Sequence, residues 1–341
     1  MKKIIVTGGT GYIGAHTSVS LIEQGYEVVI IDSLVNSSEN TLTGIENITG
    51  IRPVFHKVDL RDYEAVHKVL EIHQDATAVI HFAALKAVGE SVQKPVLYYK
   101  NNMLALLNLL EAMQCFQVNN IVFSSSATVY GDADVLPLTE DLERKPAMSP
   151  YGNTKKMGED IIKDVAKAHV EFNGISLRYF NPIGAHASSE IGELPNGIPN
   201  NLMPFITQTA VGLRKELMVF GNDYNTPDGT ALRDYIHVVD LANAHVKAVD
   251  RLANNQQKAN YEIFNLGTGK GSSVLEVIQS FERTSGKKLA YRIVGRRDGD
   301  VEAMYASTEL ANKELGWTAK HSLDDMTASS WKWECKVRGI K

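Results

Sequence analysis

The stretch Thr7-Gly8-Gly9-Thr10-Gly11-Tyr12-Ile13-Gly14 decides how this chain is read. It follows the β-branched run Lys3–Thr7 and opens an amphipathic segment from Ile13 to Gln24. A strand, a glycine turn and a helix in that order make a phosphate cradle. Gly8 permits the tight turn, Gly11 lets the backbone approach a pyrophosphate, and Gly14 allows close packing of helix on strand. The N–H groups that open the helix have no partners within it and are free to face an anion. Asp32 stands about 20 residues beyond the turn, at the end of a second apolar run, Glu27–Ile31. A carboxylate there accepts hydrogen bonds from the adenosine ribose hydroxyls and repels a 2′-phosphate. The following Ser33-Leu34-Val35 offers no arginine to receive one. The reading is a dinucleotide site for NAD rather than NADP.

Outward from this turn, short apolar runs alternate with longer amphipathic ones. Strands are predicted at Lys3–Thr7, Glu27–Ile31, Pro53–Val58, Ala78–Phe82, Asn120–Ser125 and Ile175–Tyr179. Helices are predicted at Ile13–Gln24, Tyr63–Ile72, Pro95–Gln114 and Pro150–Asn173. Such alternation, with strands apolar throughout, specifies an α/β chain with a Rossmann-type doubly wound parallel sheet. After Asn181 the pattern changes. Pro182–Asn201 is rich in Gly, Pro, Ser and Asn and reads as a long functional loop. Helical patterns return at Pro204–Gly212, Val238–Leu252, Val274–Thr284 and Leu323–Lys336, and Tyr261–Leu266 reads as one more buried strand. The expectation is an NAD-binding domain from residues 1–180 plus about 236–267. A smaller mixed α/β substrate domain takes 181–235 and 268–341.

Bulk properties exclude several classes of function. The 341 residues carry a net charge of −5, with 44% hydrophobic and 22% charged residues. That balance gives no electrostatic reason to expect nucleic acid or an anionic membrane as partner. No apolar run approaches the roughly 20 residues of a membrane span. The apolar stretch at the N-terminus is too short for a signal peptide. Cys115 and Cys335 stand in no metal or redox spacing, and the ten histidines show no ligand motif, so no metal site is expected. Free thiols and a cytoplasmic location follow as expectations.

Tyr151-Gly152-Asn153-Thr154-Lys155 places a phenol and an ammonium at i and i+4 on one helical face, behind Ser149 as N-cap and Pro150 at the first helical position. Oxidation of a carbinol needs a base for the hydroxyl proton. A phenol serves near pH 7 only if its pKa falls by about three units, roughly 4 kcal/mol. Lys155, the positive nicotinamide and the helix N-terminus are expected to supply that drop together. Ser126, closing the apolar strand in Ser124-Ser125-Ser126-Ala127-Thr128, lies where a doubly wound sheet presents its ligand site. Gly158, inside the same helix, costs about 1 kcal/mol relative to alanine, and only close packing would justify it.

Taken together, TGGTGYIG, Asp32, the run His81–Ser91, SSSATVYGD, SPYGNTK, Arg178–Pro182, GIPNNLMP and Arg233–His237 resemble the UDP-glucose 4-epimerases of the extended short-chain dehydrogenase/reductase superfamily. The resemblance runs to about Trp333. It implies interconversion of UDP-galactose and UDP-glucose through a 4-keto sugar, in galactose metabolism, with tightly bound NAD. Tyr151, Ser126 and Lys155 would be catalytic. The cofactor would be held by Gly8, Gly11, Tyr12, Ile13, Gly14, Asp32, Asn36, Ser37, Asp59, Leu60, Phe82, Ala83, Lys86, Asn101, Ser124, Tyr151, Lys155 and Tyr179. The UDP-hexose would meet Ser126, Tyr151, Phe180, Asn181, Asn201, Leu202, Phe220, Arg233, Tyr235, Arg297 and Asp300. Arginines suit a diphosphate, which a guanidinium grips through paired hydrogen bonds. A homodimer is implied as well, through a four-helix contact of Pro95–Gln114 and Pro150–Asn173. The leucines 104, 106, 107, 109 and 110 exceed what one core-facing stripe requires, and burial within one monomer is the alternative to that contact.

Three other readings stay open at this level. A 4,6-dehydratase or decarboxylase of the same superfamily shares the scaffold, but dehydratases carry an acidic pair after the strand-end hydroxyl, where this chain has Ala127 and Thr128. A UDP-N-acetylglucosamine 4-epimerase differs at a position that spacing assigns to Met304, with Tyr305 beside it. A non-catalytic NAD-sensing protein would have no need of Ser126, Tyr151 and Lys155 together.

Overall fold

Runs such as Ile4-Ile5-Val6 and Val28–Ile31 are apolar on both faces, and only a sheet covered on both sides can shelter them. The computed structural model, which describes residues 1–297 and 300–340, meets that demand with seven parallel strands. From one edge to the other they are Tyr261–Leu266, Asn173–Tyr179, Asn120–Ser124, Ala76–His81, Lys3–Thr7, Glu27–Asp32 and Val54–Lys57. The strand order reverses between Lys3–Thr7 and Ala76–His81, which opens a crevice at the carboxyl ends of these two strands. On one face, helices Tyr12–Glu23 and Val238–Ala253 close over Ile4, Val6, Ile30 and Ile80. On the other, Tyr63–Ile72, Pro95–Cys115 and Pro150–Ala168 close over Ile5, Val29, Val79 and Ile121.

Two differences from the sequence reading have local causes. The helix that starts at Pro150 stops at Ala168, five residues early. His169 takes an extended backbone (φ −126°, ψ 105°), Phe172 turns into the core, and Asn173 begins the next strand. A helix over Asn40–Thr49 was not anticipated, because its Asn, Thr and Gly residues obscure a short buried stripe of Leu42 and Ile45. Gly158 now has its reason. A Cβ there would stand 2.6 Å from the Phe123 ring, so the missing side chain lets the helix lie directly on the strand Asn120–Ser124.

Beyond Asn181 the chain builds a second layer from very short strands. Asn181–Ile183 pairs with Tyr235–His237, Leu217–Phe220 with Tyr291–Val294, and Leu232–Arg233 with both Ser272–Ser273 and Ala303–Met304. Helices Leu202–Ala210, Val274–Ser285 and Leu323–Arg338 pack around Ile183, Ile206, Val277 and Phe281. The last two helices start with reciprocal caps, Ser273 with Glu276 and Ser322 with Asp325. Between visits to this layer, Tyr261–Leu266 returns to the main sheet beside Asn173–Tyr179. Among the described residues, no helix is long and apolar enough to cross a membrane. Cys115 and Cys335 are free thiols.

Candidate active site

The glycine turn is built as its residue types require. Gly8 has φ +70°, and its N–H donates to the Ile31 carbonyl at 2.8 Å, tying the turn to the second strand. Gly11 precedes the helix and has no side chain, so the first N–H groups of Tyr12–Glu23 line the crevice with no side-chain cap among the described residues. This is a fit for a dinucleotide diphosphate, which wants donors and no fixed anion beside it. Gly14 plays a different part from the one expected. A Cβ there would lie 2.3 Å from the Gly8 carbonyl oxygen, so it is the turn itself, rather than the strand, that needs the space. The Asp32 carboxylate accepts from Thr10 N–H at 3.2 Å, Leu34 N–H at 2.9 Å and the Ser37 hydroxyl at 3.1 Å. It thereby joins both lips of the crevice.

All residues named above as candidates for cofactor, catalysis or substrate line one continuous cavity of about 2030 Å³. At its centre, Ser126 stands two residues beyond the strand Asn120–Ser124, in an extended conformation, and caps a short turn over Ala127–Tyr130. Its oxygen accepts from Thr128 twice, from N–H at 3.2 Å and from the hydroxyl at 3.0 Å. Facing it, Ser149 accepts from Gly152 N–H at 3.1 Å and starts the helix whose first turn carries Tyr151. Burial pushes the Tyr151 phenol up to about 12, and hydrogen bonding to Ser126 opposes the rise. Lys155 donates to the Ser124 carbonyl at 2.5 Å. Burial brings its ammonium down to about 7, against the pull of the Glu159 carboxylate. The expected depression of the tyrosine by Lys155 is therefore not present in the protein alone, because burial drives both groups towards their neutral forms.

Glu159 escaped the sequence reading, yet it anchors the helix that carries the tyrosine. Its buried carboxylate accepts from Arg178 Nε at 2.8 Å and Nη2 at 2.7 Å, from the Ser125 hydroxyl at 2.5 Å and from Arg144 at 3.1 Å. One residue thus joins the helix to the strand ends that carry Ser126 and Tyr179. The Tyr179 and Ser124 hydroxyls meet at 2.5 Å in the same region. An arginine inside the largely apolar strand Asn173–Tyr179 was the available signal for Arg178, whereas Glu159 stands among polar neighbours and carried none. Nothing in the sequence pairs them.

The opposite wall belongs to the second layer. The Arg233 guanidinium donates to the Asp300 carboxylate and, at 2.7 Å, to the Leu232 carbonyl. Arg297 lies over the Phe220 ring at 4.5 Å. Residues 298 and 299 of the Arg296–Asp300 segment are outside the described residues. Met304 sits in register with Arg233 and lines the cavity, whereas Tyr305 packs towards Gly271. Glu193 is a second unanticipated residue. It accepts from Asn201 Nδ2 at 2.6 Å and stands 3.6 Å from the Lys86 ammonium. It links the lysine expected on the cofactor side to the asparagine expected on the substrate side.

The family model described as GDP-mannose 4,6 dehydratase matches residues 5–330. A UDP-glucose 4-epimerase of Bacillus subtilis (strain 168) is 52% identical over 339 residues, covering 99% of this chain and 98% of that protein. The crystal structure of a UDP-glucose-4-epimerase from Stenotrophomonas maltophila, with bound NAD and formylated UDP-arabinopyranose, superposes with a TM-score of 0.96 at 49% identity and covers 99% of both chains. That of a UDP-glucose 4-epimerase from Bifidobacterium longum, in complex with NAD+ and UDP, gives 0.93 at 47% identity, with 98% of each chain covered.

Proposed function

The chain belongs to the UDP-glucose 4-epimerase family of extended short-chain dehydrogenases/reductases, and from this we propose that it is an isomerase interconverting UDP-galactose and UDP-glucose. The carrying observation is the convergence of Ser126, Tyr151 and Lys155 between a dinucleotide cradle and an arginine-bearing wall, all in one cavity. Gly8, Gly11, Asp32 and Lys155 would hold NAD, which would supply a reversible hydride acceptor for the sugar C4. The remaining work falls to side chains. Tyr151 takes the 4-hydroxyl proton as that oxygen becomes a carbonyl, and gives it back on the return. Ser126 hydrogen-bonds the reacting oxygen. Lys155, already bonded to the Ser124 carbonyl, bears on the nicotinamide ribose and on the charge of the tyrosine. Arg233, Arg297 and Asn201 hold the UDP-sugar while the ketone turns about its diphosphate link. Ala127 and Thr128 offer no carboxylate for elimination, which favours this reaction over a 4,6-dehydration.

The division of labour proposed here follows the organisation of the chain. Residues 1–180 with about 236–267 serve NAD, and 181–235 with 268–341 serve the UDP-sugar. The protein works in the cytoplasm as a homodimer. Support for the dimer comes from Val96, Leu97, Leu104, Leu107 and Met157, which the helices Pro95–Cys115 and Pro150–Ala168 leave exposed.

The test is to mix purified protein with UDP-galactose, without added NAD, and measure UDP-glucose. Absence of product from protein that carries bound cofactor sinks the reading. The same assay with UDP-N-acetylglucosamine asks what Met304 admits, since an unbranched thioether adapts its shape more readily than an aromatic ring.

A further inference from the structure

A serine hydroxyl has one proton to give and two lone pairs to receive with. Thr128 engages both lone pairs of Ser126, through its N–H at 3.2 Å and its own hydroxyl at 3.0 Å. The Ser126 proton is left to point away from that turn, across the cavity. Thr128 is in turn held from behind. A Cβ on Gly152 would stand 3.2 Å from both the Thr128 Cβ and carbonyl oxygen and 3.3 Å from its hydroxyl oxygen. Gly152 lies inside the helix Pro150–Ala168, where glycine is costly, and Tyr151 is its neighbour. The bare backbone at this position gives Thr128 the room to reach Ser126.

We propose that Thr128 is a positioning residue: it saturates the acceptor side of Ser126 and so fixes that hydroxyl as a donor towards the oxygen that exchanges its proton with Tyr151. The inference rests on the roles proposed above for Ser126 and Tyr151. It has a mechanistic consequence. A relay through Ser126 would need its oxygen to take up a proton on a lone pair that Thr128 already occupies. The sugar O4–H bond therefore breaks as the Tyr151 O–H bond forms, in one direct transfer. Throughout, Ser126 keeps its own proton and donates first to the phenolate and then to the new carbonyl oxygen. The hydroxyl chain Thr128 to Ser126 to acceptor is polarised in one direction, which strengthens the last bond.

The test compares T128V, T128S and G152A with the native holoenzyme, using UDP-galactose turnover across a range of pH. In T128V the kcat is expected to fall about ten-fold, the effect of one hydrogen bond at the reacting centre, with KM within about two-fold. Its acid limb should move to higher pH, because a phenolate that receives a weaker donor holds its proton more tightly. T128S restores the hydroxyl and is expected within about two-fold of native. G152A leaves the hydroxyl in place but crowds it, and should lower kcat as well. Far-UV circular dichroism and the amount of NAD released on denaturation report folding of each variant. Native kcat and an unmoved acid limb in T128V and G152A overturn the inference, as does equal damage in T128V and T128S or a change carried by KM. Those outcomes presuppose native turnover. A native chain inactive on UDP-galactose overturns the proposed function itself, and with it this inference.

Discussion

The two walls of the cavity treat charge in opposite ways. On the cofactor side and in the sheet directly behind it, titratable groups are buried and pushed towards neutrality: Tyr151 up to about 12, Lys155 down to about 7 and, in the sheet, His81 down to about 3. On the substrate side, Arg233 and Asp300 form an ion pair that is still partly exposed, and Arg297 lies on an aromatic ring. Arginine keeps its charge in proteins. The first wall can exchange a proton because burial holds its phenol neutral and brings its lysine close to neutrality. The second can grip a diphosphate because its guanidinium groups do not. Variants on the first wall should therefore act on kcat and stability, and variants on the second on KM.

Tyr151→Phe gives the largest expected effect. Loss of the base should lower kcat about 10³-fold while KM changes little. Near-native turnover would mean that the wrong group has been assigned as the base. Glu159→Ala comes next. It leaves Arg178 buried without its partner and should cost about 3 kcal/mol in urea unfolding. A loss below 1 kcal/mol would show that Arg144, the Tyr130 hydroxyl and water hold the helix without it. Arg233→Ala tests the opposite wall, and here KM for UDP-galactose should rise about 30-fold with kcat within about three-fold, the worth of a charge-assisted bond. A fall in kcat alone would erase the contrast between the walls.

The smallest effect concerns pH. Buried His81 has a folded pKa of about 3, while the unfolded chain titrates near 6.5. The unfolded state takes up the proton first, so the neutral histidine's contribution is intact above about pH 6.5 and declines from there down to about pH 3. At pH 5.5 the loss from this residue is about 1.4 kcal/mol. Urea titrations at pH 7.5 and 5.5 should therefore show His81→Gln losing less than the native chain, by about that amount. An identical drop in both chains would remove His81 from the set.

Legibility in the sequence also divides by wall. The glycine turn, Asp32 and the helix start at Ser149-Pro150-Tyr151 are local patterns, and each is set by neighbours a few residues away. Tyr261–Leu266 was readable because its apolar run is short and bounded. The protonation states were not. That Tyr151 rises rather than falls depends on how deeply the fold buries it, which no spacing reveals. The contacts of Glu159 with Arg178 and of Glu193 with Lys86 and Asn201 join residues far apart in the chain, on elements whose meeting is a property of the whole fold. The distance from Ser126 to Thr128 is only two residues, yet its meaning appears once the turn fixes which atom donates. Asn40–Thr49 was missed because its helix is stabilised by packing, with Gly44 close to the Glu190 carbonyl, more than by its own residue preferences.

The return of Tyr261–Leu266 to the main sheet also bears on how such a molecule can be rebuilt. The chain lays down part of the substrate wall, goes back to finish the cofactor sheet, and only then supplies the rest. A chimaera made with one crossover would inherit either a foreign edge strand, if joined near residue 181, or only half a wall, if joined near residue 268. Exchange of the whole wall needs three junctions, near residues 181, 236 and 268, with the helix Val238–Ala253 and its following strand kept between the last two. Grafting a new preference onto this scaffold is therefore a matter of substituting side chains in place, at positions such as Met304, rather than of swapping a cassette.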